Sequence, residues 1–178
     1  MAECANLVLL ASYNRWMNGK LYAAAAALPQ QALEQERGAF FGSIIGTLNH
    51  LVAGDTIWLR RFATLPAHAA ALAPVLALPA PSALAAIFST DLAVLGAHRS
   101  MLDGVIENWI ASLDAAALDA SLRYQNLSGA VNDKPLGSVL LHFFNHQTHH
   151  RGQASTLLSQ AGVDIGVTDL LMLIPNRL

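Results

Sequence analysis

An all-α fold, arranged as a four-helix bundle, is what this sequence predicts, and three observations carry that expectation. Apolar residues recur at helical spacing through four long segments of the chain. A length of 178 residues suits one domain, spanning 1–178, with a sizeable core. Hydrophobic residues make up 54% and charged ones 12%, against roughly 45–50% and 25% in typical soluble domains. Much of that excess is alanine, which favours helices and their close packing.

The first predicted helix covers residues 5–28, where Leu10, Tyr13, Met17, Leu21 and Ala24 repeat on one face before Pro29 closes it. The second covers 43–63, with Gly42-Ser43 as its start and Ile44, Leu48, Leu51, Ile57 and Phe62 as apolar anchors. From Phe62 to Thr90 no residue is charged, yet Pro66, Pro74, Pro79 and Pro81 break the stretch. A lipid-exposed span could not satisfy its backbone around them, so a long Ala/Pro-rich connection packed along the body is expected. Pro81-Ser82 then opens a third helix reaching Leu113, with Leu84, Ile87, Phe88, Leu92, Leu95, Leu102, Ile106 and Trp109 facing the core. Residues 118–134 read differently. Leu122 to Gln125 look extended, and Asn126, Ser128, Gly129, Asn132 and Asp133 form turns, so a short hairpin or irregular loop is predicted there. The fourth helix covers 135–161 and stops at Gly162, and a short turn follows near 169–173. The long connection means that the second and third helices need not be simple antiparallel neighbours.

Charge and cysteine usage narrow the function classes. The net charge is −2 and the ten basic residues are scattered, whereas nucleic-acid binders carry a basic patch or stripe. Neither a nucleic acid nor a membrane is expected as a partner. The single cysteine, Cys4, is compatible with a reducing compartment. No positive region precedes the short apolar run at 7–11, so a cytoplasmic protein is expected. So few charges also predict that a second subunit covers part of the apolar surface, giving a homodimer.

Four of the seven histidines lie in the fourth predicted helix. Residues four apart share a helix face, so His142, His146 and His150 form a ladder with His149 and Gln153 on its flank. Two imidazoles one turn apart can reach one divalent ion. The same spacing arises by chance or in a polar seam, and it fits His142 with His146 as well as His146 with His150. A third ligand is offered by His50, in an otherwise apolar stretch of the second helix where a hydrogen-bonded core histidine is the competing reading. Three neutral imidazoles suit zinc, nickel, copper or iron(II). A zinc ion with three protein ligands keeps a position for water or substrate, which would serve hydrolysis or the activation of a thiolate.

The run from His142 to Gln153, HFFNHQTHHRGQ, resembles the signature of the DinB-like (DinB/YfiT) metalloenzymes. Residues 45–59, IGTLNHLVAGDTIWL, resemble that family's second-helix motif, Tyr13 to Asn18 its N-terminal pattern, and 162–175 its ending. The resemblance implies an up-down-down-up four-helix bundle, frequently dimeric, with a short hairpin before the last long helix. It also implies a three-histidine site for zinc or nickel with His50, His146 and His150 as ligands, which makes His142 a neighbour and turns His149 away from the metal. Some relatives are thiol-dependent transferases or isomerases, so thiol-dependent group transfer with a low-molecular-weight thiol is the favoured activity. A metal-dependent hydrolase, or a non-catalytic stress-related metal-binding or interaction protein, is the alternative.

Metal-bound histidines usually engage a polar partner through their other ring nitrogen. Asn49, Asp55, Asn145, Gln147 and Gln153 are the candidates, with Gln153 on the same arc as the ladder. Asp55 lies roughly 140° around the helix from His50 and is expected to pair with Arg60, Arg61 or Arg151. Trp16, Trp58 and Trp109, with Tyr13 and Phe144, are candidates for a pocket lining, although aromatics at helical spacing are more often plain core. Cys4 reads as a small hydrophobe, not a nucleophile.

Overall fold

Ser43 starts the central helix of the molecule. Its backbone is extended and its hydroxyl accepts a hydrogen bond from the Gly46 amide, satisfying a first-turn donor that no helical carbonyl could reach. The computed structural model describes residues 2–177, and in it this helix, α3, runs Ile44–Phe62. Every residue of α3 except Trp58, Arg60 and Arg61 is buried, as expected of a helix surrounded on all sides. Ser43→Ala is expected to cost about 1 kcal/mol, read from the urea midpoint at constant m-value.

The protein is mostly helical, with one small two-stranded sheet. Three further long helices accompany α3: α1 (Ala2–Ala25), α5 (Leu92–Ala111) and α7 (Leu136–Gln160). Helix α1 packs against α5 and α7, and α3 packs against the same two, so the contacts close a ring in the order α1, α5, α3, α7. The second and third long helices, α3 and α5, are neighbours in this ring despite the long connection between them, whereas the first and second, α1 and α3, lie across it from each other. Phe62, Trp109 and Phe143 meet in the core, with Phe62 5.0 Å from Trp109 and 5.7 Å from Phe143 between ring centroids.

Helix α7 ends as Gly162 predicts. Gly162 takes φ +84°, its amide bonds the Ser159 carbonyl and the Val163 amide bonds that of Leu158, which satisfies carbonyls of the last turn. The tail beyond it, with a 3₁₀ turn at Leu170–Leu173, is tied to α1 by Tyr13 Oη to the Thr168 carbonyl and Lys20 Nζ to that of Val167, each 2.6 Å. Before α7, β1 (Ser121–Gln125) pairs antiparallel with β2 (Val131–Pro135), Ser121 opposite Pro135 and Gln125 opposite Val131. Asn126 closes the turn, its Oδ1 accepting from the amides of Ser128 and Ala130. A hairpin, not an irregular loop, therefore occupies the predicted insertion.

Two expectations need correction. The third long helix starts at Leu92, ten residues later than its apolar spacing suggests. The Phe88 and Ser89 amides donate to Asn49 Oδ1, and Asp91 caps α5 by accepting from Ala93 and Val94. Amides that a longer helix would need are thus committed elsewhere, and Leu84 and Ile87 are exposed instead of core-facing. The Ala/Pro-rich connection is itself partly helical, as α4 (Pro66–Leu76). Pro66 sits in the first turn, where no donor is needed, and Leu72 and Val75 are fully buried as α4 packs on α3 and α5. Short helices α2 (Gln30–Glu34) and α6 (Ala115–Leu118) complete the connections. Among the described residues no helix is long and apolar enough to cross a membrane.

Candidate metal centre

Helices α3 and α7 pack face to face, and three histidines meet in the seam. His50 comes from α3, and His146 and His150, one turn apart, come from α7. One ring nitrogen from each lies within 4.8 Å of the others. The ring centroids are 5.2 Å (His50 to His146), 4.2 Å (His50 to His150) and 4.4 Å (His146 to His150) apart.

The remaining ring nitrogens have defined surroundings. His50 Nδ1 lies 2.8 Å from the Leu84 carbonyl, an acceptor only, so it carries the proton and donates. His150 Nδ1 lies 2.7 Å from Gln153 Oε1 and donates in the same way. That fixes the tautomer in both rings and leaves each Nε2 with a free lone pair. His50 Nε2 and His146 Nδ1 are buried without any hydrogen-bond partner. Buried ring nitrogens left without a partner are costly unless something else engages them, and a soft-to-borderline divalent cation is the group that three imidazoles suit.

Burial also sets the charge state. It pushes the pKa of His50 and of His150 below the ordinary imidazole value. His146 is pushed down to about 3, first by burial and then by His150, His50, His142 and His149 around it. All three rings are consequently neutral at physiological pH, the form that binds metal. Phe41, in the loop before α3, stacks on His50 at 3.8 Å and meets His150 edge-on at 5.5 Å, screening one side of the cluster.

The neighbouring candidates divide clearly. Gln153 is the outer partner of His150, as its place on the arc suggests. Asn49 holds the loop that supplies the Leu84 carbonyl: its Oδ1 accepts from Phe88 and Ser89, and its Nδ2 donates to Ile45 and Ser89 carbonyls. His149 is exposed, accepts from Gln153 Nε2 at 3.3 Å and stays outside the cluster. Asn145 is exposed and only donates to the Leu141 carbonyl, while Gln147 is fully buried. His142 lies beside Trp58 (5.2 Å) and His146 (6.0 Å) as a neighbour of the site.

Asp55 is placed differently from expectation. It pairs with Arg99 of α5 at 2.5 Å, not with Arg60, Arg61 or Arg151. Arg60 instead donates to the carbonyls of Val75, Leu76 and Leu78 at the end of α4, and Arg151 donates to Asn14 and Thr148. Arg99 went unnoticed because a single arginine on an apolar helix gives no signal that it is buried.

Next to the cluster lies a cavity of about 350 Å³, lined by Gly54, Trp58, Arg61, Leu84, His142 and His146 and by the hairpin tip at 126–128. Of the aromatic pocket candidates only Trp58 lines it; Trp109 and Phe144 are core, and Tyr13 and Trp16 pack on each other at 6.0 Å. Gly54 is the close approach that admits the His146 ring, since a Cβ there would sit 3.0 Å from His146 Cε1. Gly54→Ala is therefore expected to tilt that ring and weaken metal binding on the order of 10-fold, the scale for disturbed ligand orientation. Competition against a chromogenic chelator checks this, with unchanged far-UV circular dichroism as the control.

Four long helices closing on three inward-facing neutral histidines, with a cavity alongside, define a helical protein built around a metal-capable centre. The sequence model of the DinB family matches residues 1–176, and the chain belongs to that family. It is 29% identical over 163 residues to Protein DinB of Bacillus subtilis (strain 168), an alignment covering 90% of this chain and 88% of that protein. No solved structure matches the chain.

Proposed function

We propose that this protein is a metal-dependent enzyme in which His50, His146 and His150 hold a zinc or nickel ion and leave a position open to a thiol cosubstrate. The observation that carries the reading is the convergence of three neutral imidazoles within 4.8 Å, with buried nitrogens lacking any other partner. The ring of contacts among the long helices supports an up-down-down-up four-helix bundle as the scaffold. When bound, the ion supplies a Lewis acid that lowers the pKa of a coordinated thiol or water.

The chain's own part is preorganisation. The Leu84 carbonyl and Gln153 hold two imidazoles in the tautomer that presents Nε2. Phe41 keeps water from one side of His50, and the cavity beside His146 offers room for the substrate. Thiol-dependent group transfer is favoured over hydrolysis by the family resemblance. In the same reading the enzyme is a cytoplasmic homodimer, and exposed Phe40, Leu171 and Met172 support an apolar surface for the second subunit.

Elemental analysis of tag-free protein beside the His146→Ala variant tests the centre. Near-stoichiometric zinc or nickel is expected in the parent and a loss of at least 10-fold in the variant. An absence of metal from both, even after reconstitution, would leave the histidines as a hydrogen-bonded seam. In the cobalt-substituted protein a thiol should change the visible spectrum, and no response to any thiol would remove the transferase version.

A further inference from the structure

Arg61 sits in the cavity beside His146 with its charge unanswered. Among the described residues its guanidinium forms no ion pair and no hydrogen bond, and no acidic side chain lines the cavity. The other half-buried or buried arginines, Arg37, Arg60, Arg99 and Arg151, all donate to oxygen acceptors. Burial has already taken part of the water from Arg61 and pushes its pKa down. A partly desolvated cation without a counter-charge gains strongly from an anion that arrives with geometry to match.

The aromatic surroundings prepare it for that. The guanidinium carbon lies 4.5 Å from the Trp58 ring centroid and 4.7 Å from that of Tyr124. Trp58 and Tyr124 stand edge-to-face with each other, 5.3 Å apart at 66°, so the guanidinium lies in the corner over both rings, held in place while its N–H groups stay available to a planar, bidentate acceptor. Between Arg61 and His146 the walls are largely apolar, from Ile57, Trp58, Leu84 and Leu127. The site thus has a cation at one end, an apolar middle and the histidine cluster at the other.

We propose that Arg61 is the receptor for a carboxylate, and that the molecule occupying this cavity is a small organic acid whose apolar stem lies along Trp58 and Leu84. The inference deepens the metal-dependent reading and rests on it only for the reactive end of the molecule; the carboxylate end stands without it. The acid is carried either by the thiol cosubstrate or by the second substrate.

The test uses the full ¹⁵N-labelled, zinc-loaded chain and follows arginine Nε–Hε signals during titration with hexanoate and, separately, 1-hexanol. Arg61→Met assigns the signal. The expected result is a saturable shift with hexanoate at least about 10-fold tighter than any effect of hexanol, as a charge-assisted bidentate bond implies, and its loss in Arg61→Met. Equal response to acid and alcohol, or no saturable response, would reduce Arg61 to a clamp that holds the hairpin on α3 and would overturn the proposal. That comparison is made within the parent chain, and if Arg61→Met fails to fold, Arg61→Lys, which keeps the charge but removes the Nε–Hε signal, supplies the assignment. Repeating it on metal-free protein separates the two readings, because hexanoate binding by a chain that takes up no metal sustains this inference alone. Tighter binding of 6-mercaptohexanoate than of hexanoate to the zinc form would assign the acid to the thiol, and equal binding would assign it to the second substrate.

Discussion

Arg99→Met should destabilise the fold by about 3–5 kcal/mol, the cost of removing one partner from a buried ion pair. Arg99 is fully enclosed between two carboxylates, 2.5 Å from Asp55 Oδ2 and 2.9 Å from Asp103 Oδ1. Asp103 also accepts from Asn14 at 3.1 Å and Asn18 at 2.9 Å, and Arg151 donates to Asn14, so one polar cluster joins α1, α3, α5 and α7. Burial raises the pKa of Asp103 and the Arg99 charge opposes that rise. Without Arg99 two acids would share the interior with no cation in direct contact, Arg151 reaching Asp103 only through Asn14, and at least one would be driven to take up a proton or draw in water. The urea midpoint of the variant measures the loss. Adding Asp55→Asn and Asp103→Asn to Arg99→Met should recover part of it, since neutral amides remove the repulsion between the two buried acids. A loss below about 1 kcal/mol in the single variant would mean that the carboxylates are solvated in solution.

Acid should release the metal only well below the pH at which ordinary histidines protonate. Ligand imidazoles must be neutral, so protons compete with metal only as pH falls through the pKa values of the metal-free folded chain. Those values are lowered for His50 and His150, and to about 3 for His146. Bound metal should therefore stay flat through the ordinary imidazole range near 6.5 and fall below it, followed by elemental analysis after gel filtration at each pH. The metal-free chain should show the linked effect in its stability. Histidines whose folded pKa is depressed take up protons more readily when unfolded, so stability is full above about 6.5 and declines as pH drops toward the folded values. Removing His146 by His146→Ala should flatten that decline. A release midpoint near 6.5 would mean that the histidines are solvated and the cluster is open.

Much of this architecture is legible in the sequence, because its long helices are written in periodic apolar residues and explicit ends. Helix α7 spans 136–160 against an expected 135–161, with Gly162 as its stop, and Ser43 caps α3 where Gly42-Ser43 suggested. Residues 82–91 misled because Leu84, Ile87 and Phe88 are spaced like a helix face, while Asn49, some 40 residues upstream, claims the amides at 88 and 89. The Asp55 partner misled for a related reason. Arginines nearby in sequence were plausible, but the pairing was decided by the packing of α5 on α3, 44 residues away. At the histidine ladder, periodicity alone left two registers open. Only the position of His50 across the seam distinguishes them, placing His146 and His150 within reach and leaving His142 against Trp58. Arg61 gave no local sign at all, since its lack of a counter-charge is a property of its surroundings.

The way the 84–89 loop is held has a consequence for how this chain can vary. Asn49 and His50 grip it through main-chain atoms only: the amides of Phe88 and Ser89 and the carbonyls of Leu84 and Ser89. Contacts to backbone are indifferent to which side chain is present, but they depend on the number of residues between the grips. Substitutions between the grips, at 85–87, should then be broadly tolerated, whereas a one-residue insertion or deletion, or proline at 88 or 89, should cost the His50 orientation. Within this irregular loop, spacing is under tighter constraint than identity.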